Sequence, residues 1–224
     1  MLNGMYVAIE GVIGVGKTTL TRLLQPAFQS QVLLEVFEEN PFLSDFYADR
    51  ERFAFQTQIF FLLSRYHQQR RSVPVILAQD KTLIADYTFE KDALFARINL
   101  RGDELEMYYR VHEALAEKIP MPNLIVYLRA STSTLMQRIA LRDRTYERNM
   151  ETGYIDRLNQ EYEATFGPNR QHQPQDGPAL LVIDTDEVDF VRHPAHLEMV
   201  ENRIRQALRL APFQPELPLG LLDE

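Results

Sequence analysis

The sequence predicts an α/β fold, a central five-stranded parallel sheet flanked by helices, on three observations. Five short apolar runs rich in strand formers recur along the chain, the segments between them are long and helical in pattern, and the first run ends in a glycine-rich turn that opens a helix. Strands that alternate with helices pair in parallel and need both faces of the sheet covered.

The first run, "MYVAIEG", ends at Gly11, and "KTTLTRLLQPAF" then places apolar residues at helical spacing, so Gly11 to Gly16 is a strand-to-helix turn. "VLLEV" (32–36) is the second strand candidate, followed by the longest helix candidate, about Glu51 to Gln69. "TLIAD" (82–86) is the third strand, and a helix over 103–119 opens with Asp103, a residue suited to N-capping. "NLIVYL" (123–128) and "ALLVID" (179–184) complete the set, the last reached through the polar, proline-bearing connection 168–178. The tail, about 212–224, carries three prolines and few helix formers, and neither fold nor function is assigned to it. There is no repeat of fixed period, and one domain spans 1–224.

Composition narrows the partners. A formal charge of −8 argues against a protein that coats nucleic acid, since such proteins draw affinity from basic stripes, so any phosphate site must be local. The absence of cysteine excludes disulfides and cysteine-ligated zinc and fits a reducing cytoplasm. His193 and His196 flank a proline and an alanine at a helix start and read as surface residues. No apolar run is long enough for a membrane span, and the first residues lack a signal peptide's basic start, so the chain is expected to be soluble, cytoplasmic and free of membrane.

Gly11, Gly16, Lys17 and Thr18 satisfy G-x-x-x-x-G-K-[ST] between a strand and a helix. Glycines, Gly14 among them, let the backbone turn its N–H groups toward a phosphate chain, and the following helix adds its positive end. Lys17 reaches the β- and γ-phosphates in such a loop, Thr18 offers its hydroxyl to Mg²⁺, and Thr19 continues the first turn. The loop holds a nucleoside triphosphate. Asp86, at the carboxyl end of a strand, stands where open α/β sheets bind ligands and near the expected Mg²⁺. Arg138, Arg142 and Arg144 fall within seven residues. Three guanidiniums in one place are costly without an anion between them, so they read as a movable phosphate clamp, a lid over about 142–150.

"EGVIGVGKTT", "LLEVFEENPFL", "QIFFLLSR", "ADYTFEKDALFA" and "QRIALRDRTYE" together resemble the deoxynucleoside kinases, particularly the bacterial purine deoxynucleoside kinases, over about residues 5 to 190. The resemblance implies a P-loop kinase fold, ATP as phosphate donor with Mg²⁺, a deoxyribonucleoside as acceptor, and a homodimer formed through helices. It implies that Glu35 is the general base for the nucleoside 5′-hydroxyl. The residues alone do not choose among Glu35, Glu38 and Glu39. Val36 stands where the family usually has proline, and Tyr87 where it usually has the arginine that follows the acid, here Asp86. Gln58, Arg65 and Asp92 match the nucleobase-reading set, with Arg65 holding the Asp92 carboxylate. Tyr47 and Glu147 match the residues that hold the sugar 3′-hydroxyl, and Asp189 and Phe190 lie in a segment resembling the loop that touches the ATP adenine.

An ionised Asp92 accepts hydrogen bonds only, which favours nucleobases with an N–H at that edge and disfavours thymine. Adenine, cytosine and guanine all present such a donor, and it is the resemblance, through "ADYTFEKDALFA", that implies deoxyadenosine and deoxyguanosine over deoxycytidine as acceptors. The rival readings are a nucleoside-monophosphate kinase of the thymidylate kinase type, against which Tyr87 offers no positive charge for an acceptor phosphate, and a switch or motor NTPase, for which the chain lacks an N-K-x-D signature.

Overall fold

The computed structural model describes residues 4–168 and 177–211. The tail from 212 and most of the 168–178 connection lie outside them. In chain order the elements are β1 (Tyr6–Glu10), α1 (Lys17–Phe28), β2 (Gln31–Leu33), α2 (Leu43–Ala48), α3 (Arg50–Leu77), β3 (Leu83–Ala85), α4 (Glu90–Asn99), α5 (Gly102–Ala116), β4 (Leu124–Arg129), α6 (Thr132–Arg142), α7 (Thr152–Phe166), β5 (Ala179–Asp184) and α8 (Pro194–Ala207). Single 3₁₀ turns occupy Phe37–Glu39 and Thr145–Glu147.

The five strands pair in parallel in the order β2-β3-β1-β4-β5. Every residue of the central β1 is buried, as an apolar strand covered on both faces must be. Alternation divides it: Tyr6 and Ala8 pack with Leu83, Ala85, Val73 and Ile76 on one face, whereas Val7 and Ile9 join Ile84, Leu20 and Leu24 on the other. A third apolar cluster, including Leu62, Phe89, Ala96 and Tyr108, glues α3, α4 and α5 together.

Two element ends differ from the sequence expectation for reasons that shape the site. β2 stops at Leu33 rather than running to Val36, because side chains take over from the ladder: Gln68 Nε2 donates to the Leu34 carbonyl at 2.8 Å and Asp86 Oδ1 accepts the Glu35 N–H at 2.8 Å. α3 runs on past Gln69 to Leu77 with Pro74 inside its last turn. There Val73 and Ile76 pack on the sheet, and burial outweighs the local proline cost. Asp103 is a smaller correction, since it sits within the first turn of α5 while Arg101 occupies the N-cap.

Candidate active site

The carboxyl ends of β1, β2 and β3 open on one side of the sheet, and there the glycine turn, the Glu35 segment and Asp86 meet. Gly16 caps α1 at φ 106°, in the left-handed region, with no side-chain cap on the helix's first turn. Gly14, at φ 89°, lies so close to α6 that a Cβ would come within 2.8 Å of Ile139 Cγ1 and 3.0 Å of the Leu135 carbonyl oxygen. Gly11 has no room either, against the Leu128 carbonyl. The turn is therefore held closely between β4 and α6.

Lys17 folds over this turn, its Nζ donating to the Gly11 carbonyl at 2.7 Å and the Val12 carbonyl at 3.1 Å. Burial, and then the nearby Lys91 ammonium, lower its pKa to about 8. The Thr18 hydroxyl donates to Asp86 Oδ2 at 2.5 Å, so one carboxylate touches Thr18 with one oxygen and the Glu35 backbone with the other.

Glu35 is the electrostatic centre of the cavity. Arg65 donates to its Oε1 through Nε at 2.9 Å and also through Nη2, and Lys91 Nζ donates to its Oε2 at 2.6 Å. Burial pushes this carboxyl up, but Arg65 and Lys91 outweigh burial and hold it far below the usual carboxylate range. Arg65 also donates through Nη1 to Asp92, which is fully buried and keeps Oδ2 without a partner. Gln58, two turns before Arg65 on the same α3 face, lines the cavity with its buried Oε1 equally unpartnered. Asp92 stands behind Arg65 rather than on the cavity wall.

The opposite wall comes from the lid. Arg142 Nη2 donates to Glu147 Oε2 at 2.5 Å and Arg144 Nη1 lies 3.6 Å from Glu147 Oε1. Arg144 stacks its guanidinium over the Phe37 ring at 4.1 Å, and Tyr146 stacks on Tyr47 with centroids 5.7 Å apart. Burial, with Tyr154 and Glu147 nearby, raises the Tyr47 hydroxyl's pKa. The lid thus rests on the segment that carries Glu35.

A second cavity opens on the other side of the glycine turn, lined by Gly16, Thr19, Arg138, Asp189, Phe190 and their neighbours. Arg138 lines this cavity and not the first, which Arg142 and Arg144 border. Its guanidinium is spent on the Thr185 carbonyl at 2.5 Å, the Thr185 hydroxyl at 2.9 Å and the Val15 carbonyl at 3.3 Å. Three arginines converging on one anion is therefore not what the fold contains, although Arg142 does reach both cavities. The Asp189 carboxylate accepts the N–H groups of Val191 and Arg192, holding the turn that sets the Phe190 ring against Gly16.

Lys17, Thr18, Glu35, Tyr47, Gln58, Arg65, Asp86, Arg142, Arg144 and Glu147 all border the first cavity, whereas Glu38 and Glu39 are exposed on the 3₁₀ turn outside it. Lys91 and Glu10 were not singled out from the sequence. Glu10, completely buried, accepts the Thr88 N–H at 2.5 Å and hydroxyl at 2.9 Å, and the Gly11 N–H and Tyr162 hydroxyl at 3.2 Å each. A lone carboxylate closing an otherwise apolar strand was the available signal. For Lys91 the signal was a lysine beside Asp92, one turn beyond the missing arginine.

A phosphate loop at a helix start, an acid at the end of β3 and a carboxylate facing them across a lidded cavity define a P-loop kinase, with a second cavity beyond the loop. The sequence profile of the deoxynucleoside kinases matches residues 7–209, and the chain belongs to that family. Similar proteins include deoxyguanosine kinase of Bacillus subtilis (strain 168), 34% identical over 208 residues covering 93% of this chain and 100% of that one. Deoxyadenosine kinase of Dictyostelium discoideum is 32% identical over 72% of this chain and 66% of its own length. Among solved structures, deoxyadenosine kinase from M. mycoides with the products dCMP and a flexible dCDP bound matches with a TM-score of 0.76 at 26% identity, over 90% of this chain and 100% of that chain. No helix among the described residues is long and apolar enough to cross a membrane.

Proposed function

We propose that this kinase transfers the γ-phosphoryl group of ATP to the 5′-hydroxyl of a purine deoxyribonucleoside, deoxyguanosine or deoxyadenosine, in nucleotide salvage. The observation that carries the reading is the shared cavity of Glu35, Lys17 and Thr18, with the Glu35 backbone fixed on Asp86. In the step itself Glu35 takes the hydroxyl proton, the 5′-oxygen bonds to the γ-phosphorus, and the bond to the β–γ bridging oxygen breaks to release ADP. A carboxylate with so depressed a pKa is a weak base, which fits phosphoryl transfer, where aligning the nucleophile matters more than deprotonating it early. Lys17 follows the γ-phosphate, Arg142 and Arg144 neutralise charge from the lid, and Tyr47 and Glu147 hold the sugar 3′-hydroxyl. Arg138, Asp189 and Phe190 form the donor nucleotide's side, with Gly11, Gly14, Gly16 and Thr19 shaping the loop.

The Thr18 hydroxyl and Asp86 carboxylate converge as a pair of hard oxygen donors, a set that suits Mg²⁺, which keeps phosphate oxygens and waters as its other ligands. Held there, Mg²⁺ would supply charge neutralisation to the phosphates.

Purine preference draws support from the named relatives, and the unpartnered acceptor oxygen of Gln58 on the cavity wall suits a nucleobase that presents an N–H donor. The argument against a monophosphate acceptor that rested on Tyr87 loses force, since Lys91 brings a positive charge to the cavity; family membership is what decides for a nucleoside. One kinase domain over the chain, a cytoplasmic location and a homodimer complete the reading, the last measured by light scattering.

The test is kcat/KM for the four deoxyribonucleosides with ATP and Mg²⁺. Deoxyguanosine or deoxyadenosine should lead. Thymidine as the best substrate, or turnover of monophosphates alone, would refute the reading.

A further inference from the structure

Position 87, directly after Asp86, is where the resemblance leads one to look for a cation, and it holds a tyrosine. Tyr87 is fully buried in the apolar cluster with Tyr6, Ala8 and Val73, and its hydroxyl donates to Gln68 Oε1 at 2.5 Å. It points away from the cavity. Lys91, in the first turn of α4, points in: it borders the same cavity as Lys17, Thr18 and Asp86, its side chain is only 6% exposed, and Nζ sits 2.6 Å from Glu35 Oε2.

Two features of this placement go beyond an ion pair. An ammonium has three N–H donors and Glu35 engages one, so others remain for an oxygen entering the cavity. Lys91 and Lys17 also border the same cavity. Two ammoniums on one cavity can both reach an anion held between them. The transferred phosphoryl group, passing from the Lys17 side to the Glu35 side, is such an anion.

We propose that Lys91 is a catalytic residue that binds the acceptor side of the transfer, engaging the phosphoryl group as it reaches the nucleoside 5′-oxygen and holding it in the newly made 5′-monophosphate. Lys91 stays protonated throughout: the hydroxyl proton goes to Glu35, the new O–P bond forms, ADP departs, and the ammonium moves its hydrogen bond from the carboxylate to a phosphoryl oxygen. The inference rests on the kinase reading of the cavity.

The parent protein, Lys91→Met, Lys91→Arg and Tyr87→Phe are compared for kcat with the preferred nucleoside and, by calorimetry without turnover, for affinity toward that nucleoside and its 5′-monophosphate. Removing one preorganised charge donor should lower kcat about 10²-fold. Monophosphate affinity should weaken about tenfold or more while nucleoside affinity changes less than about threefold, as befits a contact made to the phosphoryl group. Lys91→Arg should recover much of both losses, and Tyr87→Phe should leave monophosphate affinity unchanged. Should Lys91→Met not fold, Lys91→Gln, which keeps a donor but no charge, takes its place. Monophosphate affinity equal to the parent's, or a loss shared equally by nucleoside and monophosphate, overturns the proposal, because Lys91 would then only support Glu35. If the parent itself transfers nothing to any nucleoside, it is the kinase reading that fails.

Discussion

Glu35→Gln tests the centre of the site through two quantities that need not move together. In the folded protein this carboxylate is shared by Arg65, which keeps Asp92 as a second partner, and by Lys91, for which it is the ion-pair partner. The side chains of Arg65 and Lys91 are 5% and 6% exposed, so little solvent is available to replace the lost charge. Removing one member of a buried pair costs about 3–5 kcal/mol; glutamine keeps an acceptor oxygen, which places the expected loss near the lower end, about 3 kcal/mol. With a urea m-value of about 3 kcal/mol/M for a chain of this size, the unfolding midpoint should fall by about 1 M. Because the folded-state pKa of Glu35 is depressed, its stabilisation is complete above the unfolded value of about 4.3 and is lost as pH falls through the folded value. The gap between parent and variant should thus be full at neutral pH and narrow on acidification. Turnover should drop about 10²–10⁴-fold, the usual cost of removing a well-placed general base. Urea titrations at several pH values and steady-state kinetics read the two effects. An unchanged midpoint would refute the ion-pair network, and near-parental turnover alongside a loss in Glu38→Gln or Glu39→Gln would refute the choice of base.

Arg142→Ala and Arg144→Ala should each lower kcat about 10²-fold while nucleoside KM moves little, since the lid acts on charge that shifts during transfer; steady-state kinetics with the nucleoside varied checks the split. Lys17 has a pKa lowered to about 8 in the free protein, so ATP affinity measured by calorimetry should weaken as pH rises past that value, and Lys17→Arg, which keeps its charge, should remove the pH dependence.

The sheet and the phosphate loop were legible because both rest on local signals: apolar runs of strand length, and glycines required by backbone geometry. What failed were boundaries and companions set by tertiary contact. Nothing in "VLLEV" announces that Gln68 and Asp86, distant in sequence, will claim the backbone of Leu34 and Glu35 and end the ladder early. Pro74 reads as a stop until the sheet face that receives Val73 and Ile76 is known. Arg138 and Arg142 share a helical spacing, yet Thr185 captures the first, and no local pattern foretells that partner. Of the site residues carried by the resemblance, Glu35, Tyr47, Gln58, Arg65, Asp86 and Glu147 border one cavity, Asp92 lies behind Arg65, and Asp189 and Phe190 line the other, whereas Lys91 and Glu10 sit inside the matching segments and needed the fold to give them a role.

Asp86 has one oxygen on Thr18, on the proposed side of the phosphate donor, and the other on the main chain of Glu35, on the proposed side of the acceptor. A single rigid carboxylate cannot answer to one neighbour without tilting toward or away from the other. To whatever extent a nucleotide and its cation draw Oδ2 from Thr18, the Glu35 amide is displaced in the same motion, and whatever a nucleoside does to that amide returns along the same path. Linkage makes the exchange mutual: the free energy by which the first substrate eases or hinders the second equals that of the second upon the first. The two halves of the proposed reaction thus share a pivot only one carboxylate wide.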